Sequence, residues 1–206
     1  MSNRSNKTLR LVELALLSAV IVVLGVTPLG MIPIPVMKAT TLHIPVIIGA
    51  ILLGPLDGGI LGFVFGLVSL MTNTFSPGVT SFVFSPFYTT GVASGNFWSL
   101  VICFVPRIMI GVTAGFLFRA LAKVDRSKII AAAATGVVGS LVNTVLVFTG
   151  ISIFFGNEYA MAQGKTLFDA IKFIVLSYGI GEMVAAGFFA ALITKPLFVL
   201  QAKRKL

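Results

Sequence analysis

The stretch HIPVIIGAILLGPLDGGILGFVFGLVSL, residues 43–70, decides the fold of this chain. Asp57 is its only acidic residue, and it contains no lysine or arginine. Gly54 and Pro55 interrupt the apolar run near its middle, so the pattern predicts two short helices. These helices are expected to be joined by a tight turn, to be tilted, or to be partly re-entrant within the protein. Apolar helices with so few charges are typical of membrane-spanning segments.

The same pattern extends over the whole chain. Of its 206 residues, 57% are hydrophobic and 10% are charged, a composition that no soluble domain needs. We therefore predict an all-α integral membrane protein, a single domain over residues 1–206, with six transmembrane helices. A long extracellular loop is expected between helices 3 and 4. The predicted helices cover residues 9–27, 41–53, 56–71, 97–121, 128–153 and 167–199.

The distribution of basic residues predicts the orientation in the membrane. With six spans, one side holds the basic N-terminal tail, the basic segment 119–128 and the basic C-terminal end. The opposite side holds Lys38, Lys165 and Lys172, and segment 72–96 carries no charge. The positive-inside rule then places both termini in the cytoplasm of a multi-pass cell-membrane protein. The net charge of +9 reflects this topology, and no nucleic-acid partner is predicted.

The residue inventory argues against an enzyme. The chain has one histidine, one cysteine and six acidic residues, with no constellation suited to catalysis or metal binding. It also lacks the glycine-rich phosphate loop of an ATPase. We predict no catalytic residue, no metal site and no cofactor. Energy for transport would have to come from partner subunits or from an ion gradient.

Three segments carry a resemblance to a known family. They are the Ala-x-x-x-Ala spacing of Ala15 and Ala19, the stretch 43–70 quoted above, and PRIMIGVTAGFLFRAL at residues 106–121. With its length and six predicted spans, the chain resembles the substrate-binding S component of an energy-coupling factor (ECF) transporter. Residues 43–70 are most similar to S components assigned to pantothenate.

The resemblance implies a function and a set of partners. The chain would capture a vitamin at the outer face of the bilayer and deliver it inward as one subunit of an ATP-driven importer. Ala15 and Ala19 would contact a transmembrane coupling subunit, which is driven by two ATP-binding-cassette ATPases. The absence of an ATPase motif in this chain fits that division of labour.

Candidate substrate-binding residues are aromatic or polar groups toward the predicted outer face. Segment 72–96 combines aromatic, hydroxyl and amide groups, and we expect it to form a lid over the pocket or to rest on lipid. Polar groups within helices are costly in hydrocarbon, so Arg107, Asn143 and Glu182 are the strongest candidates. Arg107 could bind a carboxylate, pair with Glu182, or do both. The predicted substrate-binding residues are Lys38, Asn73, Phe75, Phe84, Phe87, Tyr88, Arg107, Asn143, Asn157, Tyr178 and Glu182.

Other functions stay open at the level of sequence. The chain could be an S component for pyridoxine or another vitamin, since a flat ring also suits an aromatic pocket. It could be an ion-coupled carrier that titrates Glu182 and needs no ATPase. It could also be a structural membrane subunit that binds no small molecule.

Overall fold

The chain is almost entirely helical in a computed structural model. The structure describes residues 3–33, 38–91, 93–125 and 127–204, and the side chains of residues 7–30, 40–91, 93–125 and 127–198. A short antiparallel hairpin pairs β1 (Met31–Pro33) with β2 (Lys38–Thr40). The helices are α1 (Asn3–Val26), α2 (His43–Leu53), α3 (Pro55–Phe75), α4 (Phe97–Leu121), α5 (Ile129–Phe154), α6 (Gly156–Gln163), α7 (Leu167–Ile174) and α8 (Ile180–Arg204). A π-helical turn, Val175–Gly179, joins α7 to α8 in one continuous helical segment.

Five helical segments in the described part of the chain are long and apolar enough to cross a membrane. They are Lys7–Val26, Pro55–Phe75, Phe97–Leu121, Ile129–Phe154 and Leu167–Phe198. These segments confirm the prediction of a helical membrane protein. Helix α2 is apolar but has 11 residues, about 16 Å of helix against a hydrocarbon core of about 30 Å. The prediction of six spans is therefore not confirmed by helix length alone.

The predicted helix boundaries agree well with the structure. Helix α4 begins and ends at the predicted residues, and α5 is displaced by one residue. Helix α3 continues to Phe75, four residues beyond the predicted end. Helix α6 lies where a loop was expected.

Gly54 forms the turn between α2 and α3. Its φ of 107° lies in the region that L side chains rarely adopt. Pro55 then begins α3, where its missing N–H costs no helix hydrogen bond. A Cβ at Gly54 would overlap the Arg119 guanidinium. The Gly-Pro pair therefore forms the predicted tight turn.

Glycines allow α3 and α4 to touch backbone to backbone. A Cβ at Gly62 would overlap the carbonyl of Arg107, and one at Gly58 would lie 2.6 Å from the carbonyl oxygen of Gly111. Small residues permit this approach where lipid offers no hydrophobic driving force. The contact fixes the middle of α4, including Arg107, against α3.

The bundle has two ends. We call the end with segment 76–96 the loop end and the end with Gly54 the turn end. One apolar cluster surrounds α2 and includes Ile21, Leu42, Ile47, Leu61, Phe65 and Ile110. A second lies toward the loop end and includes Phe82, Cys103, Val147, Phe155, Tyr159 and Ile174.

Candidate ligand cavity

A cavity of about 850 Å³ lies at the loop end. Its wall comes from the end of α1, strand β2, the second half of α3, segment 76–84, α4, α5 and the segment around the π turn. Pockets of about 300–1,000 Å³ are typical of small-molecule sites. The cavity therefore has room for a small water-soluble ligand.

Seven of the predicted substrate-binding residues line this cavity: Asn73, Phe75, Phe84, Arg107, Asn143, Tyr178 and Glu182. Phe65 and Ser69 also line it and were not predicted. They lie eight and four residues before Asn73 in α3, so helical spacing places all three on one face. That spacing is the sequence signal that could have found them.

Three predicted residues are not in the wall of the cavity. Phe87 is 77% exposed because the chain turns outward after the buried Ser85. Tyr88 follows it, packed against the second apolar cluster. Asn157 is exposed on α6, a helix that instead directs Tyr159 inward. Burial raises the pKa of Tyr159 to about 12.

Lys38 lies in β2. Its side chain is outside the described residues.

Arg107 is the charged group deepest in the wall of the cavity. It is ten residues after the start of α4 and 6% exposed. Its Nη1 donates a hydrogen bond of 2.8 Å to the carbonyl of Ile102. Pro106 has no N–H, so that carbonyl, four residues earlier, lacks its usual helix donor. The Nε of Arg107 is buried and has no hydrogen-bond partner.

Aromatic rings cover the Arg107 guanidinium, but no carboxylate touches it. Its central carbon lies 4.7 Å from the ring centre of Phe84 and 5.4 Å from that of Phe65. Rings at this distance attract a cation without neutralising it. In the part of the chain with described side chains, Arg10 and Asp57 form the one ion pair. The positive charge of Arg107 therefore lies at the cavity without a direct counter-ion among the described side chains.

Glu182 also lines the cavity, but it forms no direct ion pair with Arg107. Its Oε1 instead accepts a hydrogen bond of 2.8 Å from the backbone N–H of Thr40. Of the alternatives left open by the sequence, a direct Arg107–Glu182 pair is not formed in this structure. Glu182 thereby connects the start of α8 to the hairpin.

Two amides in the wall have different surroundings. Both polar atoms of the Asn73 side chain have partners within the protein. Its Nδ2 donates to the Ser69 carbonyl at 2.8 Å, and its Oδ1 accepts from the Ser81 hydroxyl at 2.7 Å. Asn143 is also buried, but its Oδ1 has no hydrogen-bond partner. A buried acceptor without a donor is costly, so Asn143 can offer this oxygen to a ligand.

The inner part of segment 76–96 forms part of the cavity wall. Residues 80–85 are all buried, and the Ser99 hydroxyl donates to the Phe82 carbonyl at 2.7 Å. The hydroxyls of Thr74 and Ser85 are hydrogen-bonded at 2.7 Å. These contacts hold Phe84 against Arg107. Movement of segment 72–96 as a lid stays a prediction.

Helix α1 exposes most of its surface. Only 11% of the residues in its most apolar stretch are buried, and both Ala15 and Ala19 are exposed. Large apolar side chains, among them Leu16 and Val23, are exposed beside them. The alanine pair thus lies on a face open to lipid or to another membrane helix.

Fold and cavity together define a class: a multi-pass membrane protein with a small-molecule cavity at one end of its helical bundle. The family model for the ECF transporter, substrate-specific component, matches residues 9–198, and the chain belongs to this family. It is also 40% identical over 154 residues to the "Pantothenic acid transporter PanT" of Lactococcus lactis subsp. cremoris (strain MG1363). That match covers 74% of this chain and 69% of the relative. The family resemblance stated from sequence is confirmed, and both matches are to transport proteins rather than enzymes.

Proposed function

We propose that this chain is the pantothenate-binding S component of an ATP-driven ECF importer in the cell membrane. The observation that carries the proposal is Arg107, a buried cation in a cavity with no carboxylate in contact with it. A buried charge of this kind is costly unless it is paired, so a ligand carboxylate is the fitting partner. The name of the lactococcal relative supports pantothenate as that ligand.

The unpaired groups of the cavity match the chemistry of pantothenate. Arg107 would bind the carboxylate through guanidinium N–H groups other than the one that donates to the Ile102 carbonyl. Asn143 Oδ1 would accept a hydrogen bond from an amide N–H or a hydroxyl of the ligand. Phe75 and Tyr178 would cover the apolar carbons of the ligand.

The proposed topology has six spans with both termini in the cytoplasm. Helix α2 would act as the short second span, buried behind α1, α3 and α4 rather than facing lipid alone. Segment 76–96 would then be extracellular, and the cavity would open outward. The basic loop between α4 and α5 would be cytoplasmic, as the positive-inside rule requires.

The proposed partners are a transmembrane coupling subunit and two ATP-binding-cassette ATPases. The whole chain would act as a single domain, with the Ala15 and Ala19 face of α1 against the coupling subunit. Its exposure and small side chains suit close helix approach.

Ligand binding is tested by calorimetry on the purified chain in detergent. Wild type is titrated with pantothenate, with pantothenol, its neutral alcohol, and with pyridoxine. We expect pantothenate to bind tightest and Arg107→Gln to weaken it by roughly 100-fold, since a charged hydrogen-bond pair contributes about 3 kcal/mol. Pantothenol affinity should change little. Arg119→Gln, on the same helix at the turn end, is the matched control. Equal wild-type affinity for the acid and the alcohol would exclude the proposed role of Arg107.

Coupling is tested separately from binding. Ala15→Trp and Ala19→Trp should abolish uptake by the assembled importer while leaving pantothenate binding by the isolated chain intact. Val184→Trp, at an exposed position of α8, is the control. Unchanged uptake in both alanine variants would remove the coupling role of this face. Uptake by the chain without any ATPase would instead favour an ion-coupled carrier.

A further inference from the structure

We infer that Pro106 is a positioning residue for ligand binding: by withholding a backbone N–H, it leaves the Ile102 carbonyl free to hold Arg107 at the cavity. The inference rests on the proposed function, in which Arg107 binds the ligand carboxylate.

One carbonyl of α4, that of Ile102, lacks its usual backbone donor. In a helix each carbonyl accepts from the N–H four residues later, and residue 106 is a proline. Ile102 is 2% exposed, so water cannot easily supply the missing donor. A buried carbonyl without a donor would cost about 1–3 kcal/mol. The structure fills the vacancy with Arg107 Nη1 at 2.8 Å.

The groups that orient the Arg107 guanidinium are neutral. The Ile102 carbonyl and the rings of Phe65 and Phe84 are all uncharged, and together they orient the guanidinium. A carboxylate could orient it equally well, but it would also cancel the charge that an anionic ligand needs. Neutral anchors preserve the charge, and Nε has no hydrogen-bond partner among the described residues.

The backbone at Arg107 is held in place by its contact with α3. The Arg107 carbonyl packs against Gly62 of α3, so the backbone that carries the side chain cannot move toward α3. Ligand binding therefore depends on the side-chain direction that the Ile102 carbonyl sets. An N–H at position 106 would share this carbonyl with the guanidinium, and we expect the guanidinium to be held less firmly.

The experiment measures selectivity, defined as the ratio of the dissociation constant for pantothenol to that for pantothenate. We expect Pro106→Ala, which restores an N–H, to lower this ratio about tenfold, the effect of one charged hydrogen bond. Pro196→Ala, at the other proline within a helix, is the control and should leave the ratio unchanged. A merely structural loss would weaken both ligands equally and leave the ratio unchanged.

A second variant separates the missing N–H from the proline ring. The α-hydroxy counterpart of alanine, introduced at position 106, has neither the ring nor the N–H. We expect it to keep the wild-type ratio, and this comparison with wild type stands even if Pro106→Ala does not fold. A ratio as low as that of Pro106→Ala would assign the effect to the ring and overturn the inference.

Failure of the inference and failure of the proposed function have different signatures. If Arg107→Gln leaves the ratio at its wild-type value, Arg107 does not bind the carboxylate. The proposed function then loses its main structural support. If Arg107→Gln removes the preference for the acid while Pro106→Ala keeps it, only the positioning role of Pro106 is overturned.

Discussion

The two ends of the bundle differ in whether a buried charge has a partner of opposite charge. At the turn end, Asp57 is 2% exposed, and Arg10 of α1 donates to both of its carboxylate oxygens at 2.5 and 2.8 Å. At the loop end, Arg107 is nearly as buried but meets only a carbonyl and two aromatic rings. A paired buried charge serves structure, since its partner offsets part of the cost of burial. An unpaired one costs stability and fits a site that completes itself with a ligand.

The largest expected effect comes from breaking the pair at the turn end. Arg10→Ala leaves a buried carboxylate without its partner, and we expect the largest fall in melting temperature of the variants proposed for this comparison. Lys7→Ala, an exposed cation one turn earlier on α1, should change little. The double variant Arg10→Ala/Asp57→Asn should recover much of the loss. No recovery would show that Arg10 stabilises the fold by some route other than this ion pair.

At the loop end, removing the charge of Arg107 should raise the stability of the protein rather than lower it. The double variant Pro106→Ala/Arg107→Leu removes the buried cation and gives the Ile102 carbonyl an ordinary helix donor. We expect the ligand-free protein to gain about 1–3 kcal/mol of unfolding free energy, measured by chemical denaturation in detergent, and to lose pantothenate binding. A destabilised double variant would mean that Arg107 is a structural residue, as Arg10 is.

The glycine contact beside Arg107 should give a smaller effect. Gly62→Ala inserts a Cβ against the α4 backbone, and we expect a loss of about 1–2 kcal/mol together with weaker pantothenate binding. Gly181→Ala is the matched control, because a Cβ there meets no atom within 4 Å. If both variants behave alike, helix propensity rather than the α3–α4 contact explains the result.

The smallest expected effect is a pH dependence in the loop between α4 and α5. Asp125 accepts a hydrogen bond of 2.9 Å from the Ala131 N–H, which together with Ser127 holds the pKa of Asp125 below its usual value. A lowered pKa in the folded state stabilises the fold at neutral pH, and this contribution is lost as the pH falls through that pKa. We expect wild type to melt above Asp125→Asn at about pH 7, with the difference closing in acid below about pH 4. A difference independent of pH would exclude the carboxylate as its source.

Much of the fold could be predicted because its signals are local. The apolar runs and the Gly54-Pro55 break located most helix ends to within four residues, although α1 begins six residues before its predicted start and α8 ends five residues after its predicted end. Helix α6 was missed because its residues are mixed in polarity and only Tyr159 is buried. The turn in the chain after Ser85, which carries Phe87 away from the cavity, depends on the Thr74 contact from another element.

Seven of the eleven predicted binding residues line the cavity, and their roles in binding stay a prediction. Intramembrane polarity was enough to single out Arg107, Asn143 and Glu182, since such residues are rare in apolar helices. Their partners were not predictable. Phe84 covers the guanidinium, and Glu182 binds the hairpin backbone at Thr40 instead of Arg107.

The amino-acid sequence by itself determined the class of protein, the approximate helices, the family and the short set of residues from which a site could be built. These properties follow from hydrophobicity, charge placement and motif, which act along the chain. Only the tertiary structure decided which of the described polar groups have hydrogen-bond partners within the protein and which do not. Whether a buried charge is paired depends on distances of a few ångströms between elements far apart in sequence, set here by the close packing of α3 against α4.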